Sequence, residues 1–361
     1  MWKVVHWYAH RTKRTNTFNK PQTTIMQKIR VGINGVGRIG RTLIRLLSFN
    51  KNIEVVAVND LADAETLTHL LKYDSIHGHS NAKFGFEGNL IFCEEKPIQV
   101  FNHAHPKDIP WSEIGVDIVV EATGKYKSKE ALQYHLKNGA KKVILSVPPV
   151  DDTIPMLVMG VNETVLEKSD HIVSNASCTT NNAAPMIQII DELCGIEQAY
   201  ITTVHSYTSD QSLHDRPHRD LRRSRAAGQS IIPTTTGAAK ALTKVFPHLA
   251  EVIGGCGIRV PVPNGSLTDI TFNVKEETSI AAINQAFKTK AENEFKGILK
   301  YTEDPIVSID VNNSYYSCTF DSLMTSVIGK MVKIIGWYDN ETGYCSRLID
   351  LIDLFITKKY V

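Results

Sequence analysis

The feature that most limits the fold of this chain is a run of three glycines, Gly35-Val36-Gly37-Arg38-Ile39-Gly40, set between an apolar strand and an apolar helix. The strand is read over Ile29–Asn34, and the helix carries Leu43, Leu46 and Leu47. In such a turn Gly35 permits the tight bend, Gly37 lets a pyrophosphate approach the backbone, and Gly40 lets the helix pack on the strand. The free N–H groups and dipole at the helix start favour an anion there. A second strand, Ile53–Val58, runs to Asp60, 20 residues after Gly40. An acid at that place accepts from a ribose hydroxyl. It also repels the 2′-phosphate of NADP, and Leu61 brings no positive charge, so NAD is the expected cofactor. A glycine turn beside an unrelated surface aspartate is the bland alternative, which the strand–turn–helix context disfavours.

Alternation continues after this turn. Leu67–Leu71 reads as helical, Val116–Val120 as a third apolar run, Lys127–Lys137 as a helix, and Lys142–Val147 and Met156–Val161 as strands. Apolar strands alternating with helices predict a Rossmann-type doubly wound parallel sheet, buried on both faces. The texture changes near residue 175. Thr179–Leu193 reads as a helix that Pro185 should kink. A strand at Ile201–His205 is followed by a long polar and basic loop, Ser206–Gln229. The strands at Leu267–Val274, Val307–Val311 and Val332–Tyr338 alternate more, as in a mixed or antiparallel sheet with one exposed face. Ile349–Ile356 closes the chain as an amphipathic helix. At roughly 100–200 residues per domain, 361 residues suit two domains. The expected division is a leader at 1–27, a nucleotide domain at 28–177 with a returning helix at 345–361, and an α+β catalytic domain at 178–344.

Several classes are excluded early. The formal net charge is only +2, which does not suggest nucleic acid. No apolar run approaches the about 20 residues that cross a membrane. The six cysteines are scattered without metal-ligand spacing, and no metal is expected. Dispersed thiols fit a reducing, cytoplasmic setting. The leader carries Lys3, Arg11, Lys13, Arg14 and Lys20, and no acid precedes Glu54. It lacks the apolar core of a secretory signal. An organelle transit peptide, a disordered tail, or an upstream start ahead of Met26 are the readings left open.

The second half carries the chemistry. Ser177-Cys178-Thr179-Thr180-Asn181 lies where a strand, His171–Ser174, gives way to a helix. A thiol at a helix N-terminus is biased toward thiolate. His205 ends the next strand of the same domain, so strand ends at one sheet edge bring it to the thiol as a base. A lone cysteine is more often a small core residue and a lone histidine a satisfied structural group. The hydroxyl-rich setting of Cys178, and the need for a reacting group opposite a nicotinamide, favour the catalytic reading. Five arginines lie between Arg216 and Arg225, and Thr234-Thr235-Thr236-Gly237 opens another helix. With Arg259, these offer hydroxyls, free N–H groups and planar forks for phosphate oxygens. Some of the five arginines are expected to be solvated or to meet a second subunit.

These stretches, INGVGRIGR, SNASCTTN, HSYTSDQ, IIPTTTGAAKA, RVPVPNGSLTD and GWYDNETGY, closely resemble the glyceraldehyde-3-phosphate dehydrogenase family from residue 29 to the C-terminus. The resemblance implies Cys178 as nucleophile and His205 as its base. It implies Ser177, Thr179, Thr208, Arg222, Thr236, Gly237 and Arg259 as holders of the substrate phosphate and the attacking inorganic phosphate. It implies Arg38, Ile39, Asp60, Lys96, Thr123 and Asn340 as cofactor contacts, with Asn340 at the nicotinamide amide. It also implies a homotetramer in which the arginine-rich loop lines the neighbour's cofactor site. Lys96 lies in a stretch, 84–110, that matches only loosely, and Asn182 stands where the family commonly has a second cysteine.

The expected chemistry is attack of Cys178 on the aldehyde, loss of hydride to NAD, and release of the thioester by inorganic phosphate as an acyl phosphate. Erythrose-4-phosphate dehydrogenase, which hydrolyses its thioester, is the nearest alternative. Thr208, Thr236, Gly237 and the stretch Gly336–Glu341 look like the glyceraldehyde type. A non-catalytic NAD-binding redox sensor and a Cys–His hydrolase are alternatives of other classes. The complete Cys178–His205 pair disfavours the first and the nucleotide motif the second.

Overall fold

The computed structural model describes residues 28–361, and the basic leader lies outside them. Two eight-stranded sheets organise the chain. The first runs in the order Ile172–Ser174, Lys142–Leu145, Ile118–Glu121, Ile29–Asn34, Ile53–Asn59, Lys96–Phe101, Leu90–Cys93, Phe84–Glu87. The first six are parallel, with Ile33 opposite Val58 on one side and Val120 on the other. Chain order therefore reverses beside Ile29–Asn34, and the strand C-termini there open a crevice of the kind that binds ligands in such sheets. Val31, Ile33, Leu43, Ile118, Val120 and Ile144 are all buried. Each such side chain contributes about 1.5–3 kcal/mol relative to exposure.

Two features of this half depart from expectation. Residues 84–101 form an antiparallel extension of the sheet that the sequence pattern did not announce. Met156–Val161 is not a strand and keeps only a bridge from Met156 to Ser174. Asn162 is the reason. Its side chain accepts from Val158 N at 2.7 Å and donates to the Met156 carbonyl at 3.1 Å, curling the segment into a turn. Such local side-chain bonds compete with a strand ladder.

The second sheet runs Ile232–Thr234, Ile253–Val260, Ile196–Ser206, Ser266–Val274, Met331–Tyr338, Cys318–Asp321, Leu299–Thr302, with Ser326–Ile328 paired to Met331–Tyr338. It is mixed, and helices Cys178–Cys194, Ala238–Val245 and Ile280–Glu292 pack on it. Val307–Val311 is not among its strands. Asp310 accepts from Val307 N at 2.8 Å and winds Ser308–Val311 into a short 3₁₀ turn. The helix Cys178–Cys194 runs on through Pro185. The C-terminal helix, Thr342–Thr357, returns to the first half, where Leu348, Leu351, Ile352 and Phe355 join its core.

Register sets the position of the site. The C-terminal ends of Ile196–Ser206 and Ile253–Val260, the start of Ser266–Val274 and the end of Met331–Tyr338 share one edge. Cys178 begins its helix at the C-terminal edge of the first sheet and packs against the first core, while the helix body lies in the second. The nucleotide crevice and the catalytic edge meet there.

Candidate active site

The turn before Cys178 is held under strain. Ala176 is buried with φ 55°, a left-handed conformation for a residue with a Cβ. That costs about 1–2 kcal/mol. The Ser174 hydroxyl fixes it by accepting from Ala176 N at 3.1 Å. Ser177 then caps the helix, its hydroxyl accepting from Thr180 N at 3.1 Å. The bend leaves Cys178 at the helix start, with its Sγ 3.4 Å from His205 Nε2.

Burial governs the charge of this pair. It pushes the Cys178 thiol up, against the pull of Arg259 and of hydrogen bonds from Thr179. The helix start and these partners favour the thiolate, and burial opposes it. Burial, followed by the Arg259 charge, lowers His205 to about 3, so the ring is neutral near pH 7. Each charge is disfavoured singly. Together, at 3.4 Å, they would attract by about 5 kcal/mol at an effective dielectric near 20. That attraction lowers the cost of proton transfer from sulfur to nitrogen as a paired event.

Tyr338 lies buried behind the pair and was not foreseen. Its hydroxyl meets Thr179 Oγ1 and Thr203 Oγ1, each at 2.9 Å, and its ring stands edge-on to His205 with centroids 5.9 Å apart. Thr179, expected among the phosphate holders, is buried, with its hydroxyl turned to Tyr338 and the thiol. Nothing in the local pattern around Tyr338 signals this role, because the contact crosses from one sheet strand to a helix.

The anion residues gather on the neighbouring strands. Register sets Arg259 beside His205 on one side and Ile232 on the other. The strand at Ile232 leads into Thr236, whose hydroxyl accepts from Ala238 N at 3.2 Å, and Gly237, which starts the helix Ala238–Val245. Thr208 is partly exposed at the head of the long loop. The structure sets two adjacent arginines apart. Arg222 is exposed, whereas Arg223 Nε donates to Thr234 Oγ1 at 2.9 Å and its Nη2 to the Thr235 carbonyl at 3.1 Å. Its charge reaches both His205 and Arg259. Adjacent residues in this turn face opposite ways, which residue spacing could not resolve.

The nucleotide side fits a dinucleotide. A Cβ on Gly35, at φ 96°, would lie 2.7 Å from Thr123 N, and one on Gly40 2.1 Å from the Gly35 carbonyl oxygen. A Cβ on Gly37 would face open space, and no side chain caps the helix that follows. That open, uncapped helix start is the cradle a pyrophosphate requires. Asp60 Oδ2 accepts from Val36 N at 2.7 Å, tying the acid to the glycine turn while it remains partly exposed. The Arg38 guanidinium is committed to Asp74 and Glu341, each at 2.5 Å, so its backbone N–H is what remains for a phosphate. The Ile39 side chain packs on the core behind the turn. Thr123 N donates to Glu121 at 2.9 Å. Asn340 Oδ1 accepts from Ser206 and Ser266 at 2.8 and 2.9 Å, leaving its amide nitrogen to donate.

Lys96 does not belong to this crevice. Its strand runs parallel to Ile53–Asn59 with Asn59 opposite Phe101, so Lys96 begins the strand at the far edge, 4.0 Å from Glu54. The buried Glu121 was missed, although an acid closing the apolar run Ile118–Glu121 was a visible signal. It accepts from Asn34 at 2.6 Å and meets His135 at 3.1 Å, pinning the first strand to the Thr123 turn.

The nucleotide half matches the family profile described as glyceraldehyde 3-phosphate dehydrogenase, NAD binding domain, over residues 29–129, and the catalytic half matches the C-terminal domain of the same enzyme over 177–340. The chain belongs to the glyceraldehyde-3-phosphate dehydrogenase family. It is 51% identical over 332 residues to the glyceraldehyde-3-phosphate dehydrogenase of Geobacillus stearothermophilus, covering 91% of this chain and 99% of that relative. It is 52% identical over 326 residues to glyceraldehyde-3-phosphate dehydrogenase 2 of Streptomyces avermitilis, covering 90% and 97%. Membership accounts for a glycine crevice and a thiol–imidazole pair meeting at one edge. It also makes the cofactor NAD, in agreement with the acid at Asp60.

Proposed function

We propose that this chain catalyses the NAD-dependent, phosphorylating oxidation of glyceraldehyde 3-phosphate to 1,3-bisphosphoglycerate. The observation that carries the reading is the 3.4 Å contact of Cys178 Sγ with His205 Nε2, set between the glycine crevice and the Arg259 strand. The names of the relatives support the substrate.

Gly35, Gly37 and Gly40 would admit the cofactor pyrophosphate, Arg38 and Ile39 would meet it through backbone at the helix start, and Asp60 would take a ribose hydroxyl. Thr123 lines the crevice, and the Asn340 amide would orient the nicotinamide carboxamide. When bound, NAD would supply the acceptor for the hydride that the tetrahedral adduct on Cys178 gives up. His205 would take the proton from the thiol as sulfur attacks the aldehyde carbon, pass it to the adduct oxygen, and take it back as the hydride leaves. The thioester left on Cys178 keeps the acyl group activated, because thiolate is a good leaving group. Thr208, Arg223, Thr236, Gly237 and Arg259 would hold the substrate phosphate and an incoming inorganic phosphate, with Ser177 beside them. Positioned phosphate then outcompetes water at the acyl carbon.

The test measures NADH formation against phosphate concentration with glyceraldehyde 3-phosphate and erythrose 4-phosphate. Saturable phosphate dependence and a higher kcat/KM for the triose are expected. Phosphate-independent oxidation would refute the reading. Arg223→Gln should raise the apparent KM for a phosphate-bearing ligand by about 10-fold or more, the loss of one charge-assisted bond, whereas Arg222→Gln should change it little. Equal effects would return the role to Arg222.

A homotetramer is part of the same proposal. Leu213, Leu221 and Ile231 are 77, 81 and 69% exposed, on and just after the long loop, and Tyr200 stands on the uncovered face of the second sheet. Large apolar side chains exposed together on one loop support an interface there. Light scattering at micromolar concentration should give four times the chain mass, and a monomer would contradict it. A cytoplasmic location is proposed from the family. Among the described residues no helix is long and apolar enough to cross a membrane.

A further inference from the structure

Glu121 ends the strand Ile118–Glu121 fully buried, beneath the turns that line the crevice. Every bond it makes is received. Its Oε2 accepts from Asn34 Nδ2 at 2.6 Å and from His135 Nε2 at 3.1 Å. Its Oε1 accepts from Thr123 N at 2.9 Å and from the Thr123 hydroxyl. The His135 proton is placed by its other neighbour. Trp111 Nε1 donates to His135 Nδ1 at 3.0 Å. An indole N–H only donates, so Nδ1 carries the lone pair and Nε2 the proton. Both oxygens of Glu121 therefore act as acceptors, as those of a carboxylate do.

This polarity passes across the sheet. Asn34 turns Nδ2 to Glu121, which leaves its Oδ1 to accept from Asn59 Nδ2 at 2.8 Å. Asn59 Nδ2 also donates to the His103 carbonyl at 3.0 Å, and its Oδ1 accepts from His103 N at 2.9 Å. An amide side chain can flip, but the Trp111 indole at one end and the His103 backbone at the other cannot. The buried ladder has one orientation. Each rung leads into a turn of the crevice: Asn34 precedes Gly35, Asn59 precedes Asp60, and Glu121 lies two residues before Thr123. Two of these turns touch, because a Cβ on Gly35 would lie 2.7 Å from Thr123 N, the atom that Glu121 holds.

We propose that Glu121 is a positioning residue for the cofactor: its carboxylate orients a buried side-chain ladder that spaces the glycine turn, the Asp60 turn and the Thr123 turn for the adenosine diphosphate half of NAD. Being fully buried, it acts through these turns. Glutamine matches it in shape and not in role. The glutamine NH2 must replace one oxygen. On the Oε2 side it meets the N–H groups of Asn34 and His135, and on the Oε1 side it meets Thr123 N–H. Either the ladder or the Thr123 turn gives way, because a buried donor left without an acceptor is costly. The proposal rests on the glycine crevice as the NAD site.

The experiment measures ADP-ribose binding to the full chain by calorimetry, together with kcat and KM for NAD, in wild type, Glu121→Gln, Asn59→Ala and the double variant. Glu121→Gln should weaken ADP-ribose and raise the KM for NAD by about 10-fold, the effect of one orphaned donor. Its kcat should stay within about 2-fold of wild type, as when binding is lost equally from ground and transition states. Asn59→Ala should weaken ADP-ribose in the same direction, and the double variant should lose no more than the weaker single one, because one ladder is broken once. Additive losses, or a fall in kcat with KM unchanged, would assign these residues independent structural roles and overturn the proposal. If wild type binds ADP-ribose and Glu121→Gln binds it as tightly, the ladder is refuted while the crevice reading stands. If wild type does not bind ADP-ribose, the crevice reading fails and the ladder with it. Asn59→Ala leaves every partner of Glu121 in place, so undiminished binding in that variant overturns the ladder even if Glu121→Gln does not fold.

Discussion

Cys178→Ser is expected to lose turnover by on the order of 10⁴-fold or more, as variants lacking a covalent nucleophile do. The hydroxyl that replaces the thiol sits in the same recess, where burial already disfavours charge on the far more acidic sulfur. Serine therefore has no accessible anionic form, and an alkoxide is a poor leaving group when phosphate arrives. NAD affinity should stay close to wild type, because the glycine turn, Asp60 and the uncapped helix start lie on the other sheet. Single-turnover NADH formation and cofactor titration together check this. Substantial turnover in the variant would rule out the thioester route, and a parallel loss of NAD binding would show that Cys178 serves the fold instead.

His205→Asn should slow acylation by about 10²–10⁴-fold, the range for a positioned acid–base group. The effect should fall on kcat more than on KM, since Asn retains a polar side chain between Cys178 and Ser206. The same variant has a stability signature. His205 is lowered to about 3 in the folded chain from 6.5, with burial the main cause. Below 6.5 the unfolded chain binds a proton that the folded chain excludes, so stability is lost as pH falls from 6.5 toward 3. Asparagine does not titrate, so the variant should lose less stability than wild type over that window. Chemical denaturation at pH 7 and pH 4.5 measures the difference. An identical pH dependence would mean that His205 is not held neutral by its surroundings.

Local pattern carried much of the molecule. The glycine turn, the strand at Ile29–Asn34 and the acid at Asp60 were legible because each follows from backbone sterics and sequence-near geometry. The same holds for the strand-to-helix turn that presents Cys178. Apolar periodicity failed where a side chain bonded its own backbone. Asn162 curls the segment read as a strand at Met156–Val161, and Asp310 winds the one read at Val307–Val311. Both segments are apolar enough for a ladder, yet a short local bond forms before a distant strand can compete.

Sequence by itself determined the two-sheet class, the dinucleotide turn, and the pairing of the Cys178 thiol with His205, since these depend on residue type and on spacings within one element or between consecutive ones. Tertiary structure alone decided which neighbours act on them. It put Lys96 at the edge of the first sheet far from the crevice, set Arg223 rather than Arg222 against Thr234, and turned Thr179 inward to a tyrosine 159 residues away. It also set burial against the charge that the helix start favours, because burial is a property of the whole packed site and a helix start is not. Register across the strands Ile232–Thr234, Ile253–Val260 and Ile196–Ser206 set Arg259 against His205. Strand pairing brings together residues far apart in the chain, and no spacing along the chain records it.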